Sequence, residues 1–318
     1  MSRVLKKENL KFNSINEIDY SGLNKLNTSL YGNYPDLKSE LKLKTTYAPN
    51  QDLGIIVKNK EGSLISSYLV FPLLINYYGK PLWICQAGNT MLDHKYIGRN
   101  IIVDSALKLY DILIKMKYKA IIGIPSKSIL RTRTKLLNWK KNSIILSYNF
   151  FIPTLPVFIF SRKFISIELF HKFYTKVLAR IFFKRGDYFP SSDKFLENNN
   201  IFVERSNKYW EYKLKNSDIL LLKSGKTNFV IKISRELYLG DIDIRFGLPN
   251  VLFRLKFFLF LILSFNASCR FFCTDNSFLT TFFNKLKKPK SSLNFCSRSF
   301  DSNLDFKNFS YTYFDFDT

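Results

Sequence analysis

Apolar residues follow two different periods along the first half of the chain. Three runs rich in β-branched and aromatic residues, "LGIIVKN", "SLISSYLVFPLLINYYG" and "PLWICQAGNTM", are joined by "NKEG" and "YGKP", which have the composition of turns. This pattern predicts three strands in a meander. The segment that follows has apolar residues three and four apart, as in an amphipathic helix. These residues are Ile102, Ala106, Leu109, Leu113 and Met116. We therefore expect one face of this helix to be buried.

The rest of the first half continues the alternation of strands and helices. We predict a strand in "KAIIGIP", a basic helix in "KSILRTRTKLLNWK" and a strand in "SIILSYNFFIP". Residues 15–45 look mostly helical, with a break at "YPDL". Residues 162–184 form a long amphipathic pattern, which predicts a helix that connects two domains. Its mixture of Phe with Lys and Arg also fits a helix that lies on a membrane surface.

The second half repeats this order of elements with little shared sequence. After a segment around "SNKYWEYKL" come three strands, a helix from Val251 to Phe265, the strand "CRFFCT" and a helix from Phe278 to Leu286. Two strands, "SLNFCSRSF" and "FSYTYFDF", close the chain. The repeated order predicts an internal repeat. The fold class is accordingly α/β (α+β), as two tandem units that each have a mixed, mostly antiparallel sheet flanked by helices.

Charge and size narrow the range of partners. The chain has 318 residues, 46% of them hydrophobic, with 49 Lys and Arg against 25 Asp and Glu. This is enough apolar material for two domains. The net charge of +24 favours anionic partners, namely a phosphorylated cofactor, nucleic acid or an anionic membrane. Biased codon usage is an equally weighted explanation of the Lys-rich composition.

Targeting and cysteine patterns indicate a protein of the cytoplasm without a metal site. The N-terminal "MSRVLKKENLKF" lacks the apolar core of a secretory signal, and the most apolar run, Phe257 to Phe265, is too short to span a bilayer. Four cysteines and two histidines do not form a zinc-binding pattern, so we expect buried or free thiols.

The turn between the third strand and the first long helix carries a family resemblance. The stretch that ends in "TMLDHKYIGRNI" resembles the acyl-CoA-binding motif of the GNAT acyltransferase superfamily, often written T-H-P-x-Y-R-G-K-G-I. The next segment, "YKAIIGIPSKSILRTRTKLLNWK", resembles the strand and helix that follow this motif in GNAT proteins. The resemblance covers roughly residues 40–150. A helix N-terminus with exposed N–H groups is also, on physical grounds, a cradle for a pyrophosphate.

The resemblance implies a set of cofactor-binding residues for acetyl-CoA as cosubstrate. Backbone N–H groups around residues 89–92 would meet the thioester carbonyl, and a basic group on the following helix (Lys127, Arg131, Arg133, Lys135) would meet the remaining phosphate. The basic group could instead be a solvated face. The residues expected to bind the cofactor are Met91, Leu92, Lys95, Ile97, Gly98, Arg99, Asn100, Ile101, Ile102, Ser126 and Arg131.

Two positions of the turn depart from the family pattern. Asn100 stands where the pattern has Gly, but Asn also adopts the left-handed conformation, so we expect the turn to be kept. Ile97 stands where a polar side chain is usual. A non-catalytic GNAT-like scaffold is therefore an alternative to an enzyme.

Acyl transfer to an amine requires a base and a proton donor for the leaving thiolate. The candidates are His94, with Asp93 beside it, and Tyr148 as the donor, a role the resemblance implies. A surface histidine is the plainer interpretation of His94, and His171 is expected to be structural.

In the second half the sequence offers weaker candidates for an acceptor site. Asp241 and Asp243 would face the same side of a strand, where they could bind a cationic or hydroxyl-rich acceptor or simply be solvated. Trp210 and Tyr212 could stack on a sugar ring or belong to the core.

These observations predict three regions and one activity. Residues 1–160 would be a GNAT-like acyl-CoA-binding domain, 161–200 a connector, and 201–318 a degenerate GNAT-like domain. The expected function is acyl-CoA-dependent acetyl transfer to an amine, and the resemblance suggests an amino sugar of a surface polysaccharide. No nucleic-acid partner and no transmembrane span are expected, although contact with a membrane surface is compatible with the sequence. A basic nucleic-acid-binding protein is the remaining alternative, without a recognition motif to support it.

Overall fold

The fold is a large mixed sheet with helices on both faces. In the computed structural model the described residues are 10–15, 19–32, 54–155, 157, 164–191, 201–234, 236–243, 245, 249–275, 277, 279–280, 283–284 and 288–315. Parts of the predicted helical segment 15–45, of the connector and of the helix predicted at 278–286 lie outside these residues.

Fourteen strands among the described residues belong to one sheet. In chain order they are β1 (Lys11–Ser14), β2 (Gly54–Lys58), β3 (Leu64–Tyr77), β4 (Lys80–Leu92), β5 (Ala120–Gly123), β6 (Lys140–Phe151), β7 (Lys184–Arg185), β8 (Ile201–Val203), β9 (Ile219–Ser224), β10 (Thr227–Ile233), β11 (Leu237–Ile242), β12 (Ser268–Thr274), β13 (Ser291–Ser299) and β14 (Phe309–Ser310). The three-stranded meander predicted from the alternating runs is confirmed as β2, β3 and β4.

Six α-helices flank this sheet in the described part of the chain. They are α1 (Tyr20–Tyr31), α2 (Ile101–Lys115), α3 (Lys127–Leu136), α4 (Ile165–Phe182), α5 (Asn207–Leu214) and α6 (Val251–Leu263). None of these helices combines the length and the apolar content needed to cross a bilayer. The helix predicted at residues 162–184 is observed as α4, and its role as a connector between two domains stays a prediction.

The strand order of the sheet places its two parallel pairs symmetrically about the centre. It runs β1-β2-β3-β4-β5-β13-β6-β12-β11-β10-β9-β7, and β8 pairs with β3 and β14 beside this path. Parallel pairing along the path occurs at β4–β5 and at β11–β12, at equal distances from the centre. A helix follows the first strand of each parallel pair, namely α2 after β4 and α6 after β11. A strand, a helix and a parallel neighbouring strand therefore follow one another in both halves, and the internal repeat as a whole stays a prediction.

The two halves exchange strands at the centre of the sheet. The late strand β13 lies between β5 and β6, and β6 pairs with β12 from the second half. Hydrogen bonds thus join residues more than a hundred positions apart. The halves share one sheet, and the boundaries predicted near residues 160 and 201 stay predictions.

Alternation along each strand divides the core into two faces. Tyr68 and Val70 of β3 pack with α2 and α3, whereas Leu69 and Phe71 pack with α1 on the other face. Across the centre, α4 and α6 cover the same face as α2 and α3, and α5 with the C-terminal residues covers the opposite face. Because both faces are covered, most of β3 is buried.

The α2 helix buries the stripe that its sequence predicts, with one exception. Ile102, Ala106, Leu109 and Leu113 are buried, and full burial of a large apolar side chain stabilises by roughly 1.5–3 kcal/mol. Met116 was expected in the same stripe but is 42% exposed. The helix ends at Lys115, and the chain turns at Lys117, which has a φ of 65°, so Met116 leaves the helical face.

The buried histidine of α4 makes stability depend on pH. Burial lowers the pKa of His171, although its hydrogen bond with the Ser264 carbonyl acts in the opposite direction. Below about pH 6.5 the unfolded chain then binds more protons than the folded one. Stability is therefore expected to fall as the pH drops from 7 to 5.

Urea unfolding of His171→Gln across this pH range tests the expectation. The variant keeps a side-chain N–H donor for Ser264 but does not titrate, so its stability should depend less steeply on pH than that of the wild type. His94→Gln, at the other histidine of the chain, is the matched control and should keep the wild-type slope. Equal slopes for His171→Gln and the wild type would contradict the expectation.

Candidate functional site

A gap opens between β4 and β5 in the first half of the sheet. The two parallel strands pair only at Cys85 with Ile121 and at Gln86 with Ile122. β4 continues to Leu92 beyond this pairing, still bound to β3 on its other side. We call the gap beyond Gln86 the β4–β5 opening. Backbone polar groups that face such a gap require a partner other than the neighbouring strand.

A β-bulge shapes the β4 side of this opening. Gly88 pairs with Leu69 and Met91 with Ser67, so Asn89 and Thr90 together lie opposite a single residue of β3. Asn89 has a φ of 46°, and its carbonyl oxygen accepts a hydrogen bond from the Ser67 hydroxyl at 2.9 Å. The bulge lies in the segment, residues 89–92, whose backbone N–H groups were expected to bind the thioester carbonyl.

Two buried side-chain atoms at the bulge have no hydrogen-bond partner among the described residues. These are Nδ2 of Asn89 and Oγ1 of Thr90. A buried donor left unpaired costs about 1–3 kcal/mol, so such atoms are uncommon in a fold unless a ligand or water binds them. The family resemblance indicates the backbone of this segment and not these side chains, although adjacent polar residues at the end of an apolar strand were a usable signal.

The turn after β4 has the conformation that its sequence predicts. Asp93 accepts a hydrogen bond from the Lys95 N–H at 3.0 Å and begins a 3-10 turn over His94–Tyr96. Gly98 and Asn100 both have positive φ angles, 86° and 56°. The expected left-handed conformation of Asn100 is therefore confirmed.

The turn leads directly into the N-terminus of α2. Asn100 is the N-cap residue, but its side chain makes no capping hydrogen bond. The first N–H groups of a helix have no partner within the helix, and the helix dipole gives them a partial positive charge. The turn and the start of α2 therefore offer donors to an anion, beside the exposed side chains of Lys95 and Asn100.

Several predicted cofactor-binding residues direct their side chains into the core. Met91, Ile101 and Ile102 are buried, so only their backbone groups could contact a ligand. Ile97 is 66% exposed, Leu92 is half-buried, and the Arg99 guanidinium lies over the Tyr96 ring.

The basic group on α3 divides into exposed residues and one buried residue. Lys127, Arg131 and Lys135 are exposed, as is Ser126, whose hydroxyl contacts that of Ser128. Arg133 is only 4% exposed, so the solvated-face interpretation is wrong for this residue. It follows Leu130 by three residues and precedes Leu137 by four, which places it on the apolar side of α3. That spacing was the signal available in the sequence.

Arg133 lies next to the β4–β5 opening. A Cβ atom at Gly123, the last residue of β5, would be 2.8 Å from Nη1 of Arg133 and 3.4 Å from Cβ of Ala87. The guanidinium lies over the Trp139 ring at 4.5 Å and near that of Tyr68 at 5.9 Å. Its Nε is buried without a hydrogen-bond partner, and no carboxylate among the described residues pairs with it. A buried cation without an acidic partner is costly, and an anion would offset that cost.

Buried hydrogen bonds connect the aromatic rings beside Arg133. Trp139 donates from Nε1 to the Tyr110 hydroxyl at 2.8 Å, and this hydroxyl is 3.3 Å from that of Tyr68. Burial, together with the neighbouring Tyr68, raises the pKa of Tyr110, so the hydroxyl stays protonated. The rings that contact Arg133 are therefore fixed in place.

The three catalytic candidates are not brought together. Asp93 and His94 share the turn, where Asp93 is half-buried and His94 is exposed. Tyr148 lies on β6, where burial raises its pKa to about 12 and its hydroxyl donates to Oδ1 of Asn284. This hydroxyl thus contacts the second half and not the turn. A catalytic role for Tyr148 stays a prediction that this geometry does not support.

A second gap, between β11 and β12, contains the C-terminal segment of the chain. The two strands pair only from Leu237 to Leu239, and Thr312 forms a bridge with Cys273 beyond that point. Residues 313–315 then pack against β11. The chain itself therefore occupies the place that corresponds to the β4–β5 opening.

A buried ion cluster fixes the C-terminal segment. Arg205 donates to Asp241 and, from Nε and Nη2, to the two carboxylate oxygens of Asp315 at 3.1 and 3.0 Å. Tyr209 and Thr312 also bind Asp315. All three charged side chains are fully buried.

These contacts correct the sequence interpretation of the second half. Asp241 and Asp243 are buried, so the expectation of solvated carboxylates is wrong. Asp243 pairs with Arg245 at 2.7 Å, and Asp241 pairs with Arg205, so arginines already bind both. Trp210 is fully buried and stacks on Phe314, which confirms the core interpretation of that residue. All four cysteines are buried free thiols, as expected.

Comparison with known proteins shows a likeness in fold without a likeness in sequence. No protein-family model matches the chain, and no curated protein matches its sequence. Among solved structures, a GCN5-related N-acetyltransferase from Kribbella flavida is similar over 92% of this chain and 72% of its own, with a TM-score of 0.56 and 9% identity. A putative acetyltransferase from Pyrococcus horikoshii is similar over 98% and 96%, with a TM-score of 0.53 and 11% identity.

A further similar structure is the Saccharomyces cerevisiae N-myristoyltransferase with bound myristoyl-CoA. It is similar over 95% of this chain and 88% of its own, with a TM-score of 0.55 and 12% identity. The chain therefore has, over nearly its whole length, the fold of the GCN5-related N-acetyltransferases.

Proposed function

We propose that the chain is an acyl-CoA-dependent N-acyltransferase whose cofactor binds in the β4–β5 opening. The observation that supports this most directly is the set of buried polar groups without partners around the opening, namely Asn89, Thr90 and Arg133. Asn89 and Thr90 belong to the bulge of β4, and the turn after this strand leads into the N-terminus of α2, two features that suit acyl-CoA. The similar fold of acyltransferases agrees with the proposal.

Each part of acyl-CoA has a proposed partner. The pyrophosphate binds the N–H groups of residues 98 and 100–102, with Lys95 and Arg99 adding positive charge. Ser126 and Arg131 at the exposed start of α3 are the proposed partners of the remaining phosphate. The thioester lies along residues 89–92, where backbone N–H groups polarise its carbonyl. Arg133, next to Gly123, adds a buried positive charge that favours the sulfur atom as it becomes a thiolate.

The proposed reaction is a direct transfer to an amine. The neutral amine nitrogen attacks the thioester carbon, the carbon–sulfur bond breaks, and the thiolate leaves with the electron pair. The amine then loses a proton, and His94 is the proposed base because it is a titratable group at the turn. Acetyl-CoA is the proposed cosubstrate, and the cytoplasm is the proposed location.

The acceptor is proposed as an amine, and the family resemblance suggests an amino sugar of a surface polysaccharide. The aromatic residues that could have stacked on a sugar, Trp210 and Tyr212, are buried in the core. The amino-sugar proposal therefore rests on the resemblance alone.

Calorimetric titration of the full chain with acetyl-CoA, myristoyl-CoA and free CoA tests the proposal. We expect one molecule to bind per chain, with a dissociation constant between about 1 μM and 1 mM, as is usual for enzyme substrates. Thiol release from the bound acyl-CoA on addition of glucosamine or another amine would then establish transfer. Absence of binding by all three ligands would overturn the proposal and favour a non-catalytic scaffold.

A further inference from the structure

Two neighbouring helices on the second half of the sheet expose an extended apolar surface. α4 and α6 run antiparallel, because His171 near the start of α4 binds the carbonyl of Ser264 after the end of α6. The Tyr174 hydroxyl donates to the Leu263 carbonyl at 3.0 Å. Further along, the rings of Phe182 and Phe260 are 6.2 Å apart. The outer sides of both helices therefore form one continuous face.

Thirteen large apolar side chains on this face are between 36% and 72% exposed. They are Phe164, Leu169, Phe170, Phe173, Val177 and Ile181 on α4 and its start, and Val251, Leu252, Leu255, Phe258, Leu259, Leu263 and Phe265 on α6 and its end. We call this set the α4–α6 apolar surface. Its area is on the order of 1,000 Å², well above the largest apolar patch of roughly 300–600 Å² on a typical monomer.

The charges around the α4–α6 apolar surface are positive. Arg180 and Arg254 are exposed on the two helices, and Lys184 and Arg185 follow α4 directly and are also exposed. The α6 sequence contains no acidic residue. The one acidic residue of α4, Glu168, binds Lys172 at 3.2 Å. The face thus combines exposed Phe and Leu with basic groups, and within α4 and α6, which the structure describes, the one acidic side chain is already paired.

We propose that the α4–α6 apolar surface docks the protein on an anionic lipid surface. Helices with Phe and Leu on one side and Lys or Arg at the margin insert their apolar side chains at the level of the lipid headgroups. Each basic residue near such a surface gains about 1 kcal/mol from anionic lipids. Both helices pack on the same face of the sheet and expose apolar side chains away from it, so both can contribute to one contact with a bilayer.

Charge favours lipid over a second copy of the chain as the partner. Each copy carries a net charge of +24, and a symmetric contact would bring the same basic residues together. An anionic bilayer instead attracts them. The proposal does not rest on the proposed enzymatic activity, because the surface lies on α4 and α6 and the proposed cofactor site lies on β4, β5, α2 and α3.

Vesicle co-sedimentation of the full chain tests this proposal. We expect binding to phosphatidylcholine vesicles that contain about one third phosphatidylserine, much weaker binding to phosphatidylcholine alone, and a decrease at high salt. The variant Phe170→Ser/Phe173→Ser/Ile181→Ser should bind the anionic vesicles at least about tenfold more weakly, since three inserted side chains are lost.

A matched control removes three exposed apolar residues elsewhere. Leu107→Ser/Ile114→Ser/Leu136→Ser changes side chains on α2 and α3 that are 44%, 51% and 56% exposed. It should bind vesicles as the wild type does, and both variants should keep the wild-type circular dichroism spectrum. Absence of wild-type binding to anionic vesicles, or equal binding of the α4 variant, would overturn the proposal. A wild-type dimer that the α4 variant disrupts, without vesicle binding, would identify a second copy as the partner instead.

Discussion

The change Asn100→Asp is expected to weaken acyl-CoA binding at least about tenfold, equal to about 1.4 kcal/mol, without lowering the melting temperature. Asn100 precedes the first turn of α2, where the proposed pyrophosphate binds. Two negative charges about 4 Å apart repel each other by roughly 1 kcal/mol in water and by roughly 4 kcal/mol near a protein surface, where the effective dielectric constant is lower. Aspartate also tolerates the left-handed conformation and is a favourable N-cap residue, so the fold should be kept. Calorimetric titration with acetyl-CoA and thermal melting measure the two effects.

A matched control for this change is Asn138→Asp. Asn138 is exposed and has a φ of 54°, close to the 56° of Asn100, but it lies between α3 and β6. The same chemical change there should leave acyl-CoA binding within about twofold of the wild type. Equal loss in both variants would mean that net charge, and not the turn, determines binding.

Replacement of Arg205 by Met is expected to lower the free energy of unfolding by about 3–5 kcal/mol. Arg205 pairs with both Asp241 and Asp315, and all three side chains are fully buried. Without the guanidinium, two buried carboxylates lose the cation that pairs with both. Such a loss corresponds to a decrease in melting temperature of about 5–8 °C for a chain of this size, which thermal melting measures.

Two further variants make this expectation specific. Tyr209→Phe removes only the hydroxyl that donates to Asp315 at 3.2 Å, and it should cost about 1 kcal/mol. Lys223→Met breaks the exposed ion pair with Asp187 and should change stability by less than about 1 kcal/mol. If Arg205→Met were no more destabilising than Lys223→Met, the buried cluster would not hold the C-terminal segment.

Much of the secondary structure could be predicted from the sequence because the spacing of apolar residues is a local property. The apolar alternation of β2, β3 and β4 and the helical spacing in α2 correctly predicted these elements. The predicted final strand was only partly correct. Phe309 and Ser310 form β14, but the chain then turns at residues 313–315 because Thr312 and Asp315 bind within the Arg205 cluster.

Only part of the candidate site could be predicted from the sequence. The left-handed conformation of Asn100 follows from its residue type and position, so the turn was predicted correctly. The burial of Asp241 was not, because it depends on a side chain distant in sequence. Asp241 pairs with Arg205, and no local pattern connects the two. The inward direction of Arg133 had a local signal, its spacing from Leu130 and Leu137, and Asp243 has a local partner in Arg245.

The sequence by itself determined the strands β2 to β6 and β9 to β13, the helices α2, α3, α4 and α6, and the turn that presents the N-terminus of α2. Only the tertiary structure decided that β13 inserts between β5 and β6, that β4 and β5 separate after Gln86, and that the C-terminal segment occupies the corresponding gap in the second half. The physical reason is the range of the interactions. Hydrophobic period and turn conformation act over a few residues, whereas strand exchange and the burial of charge require partners that only the folded chain brings together.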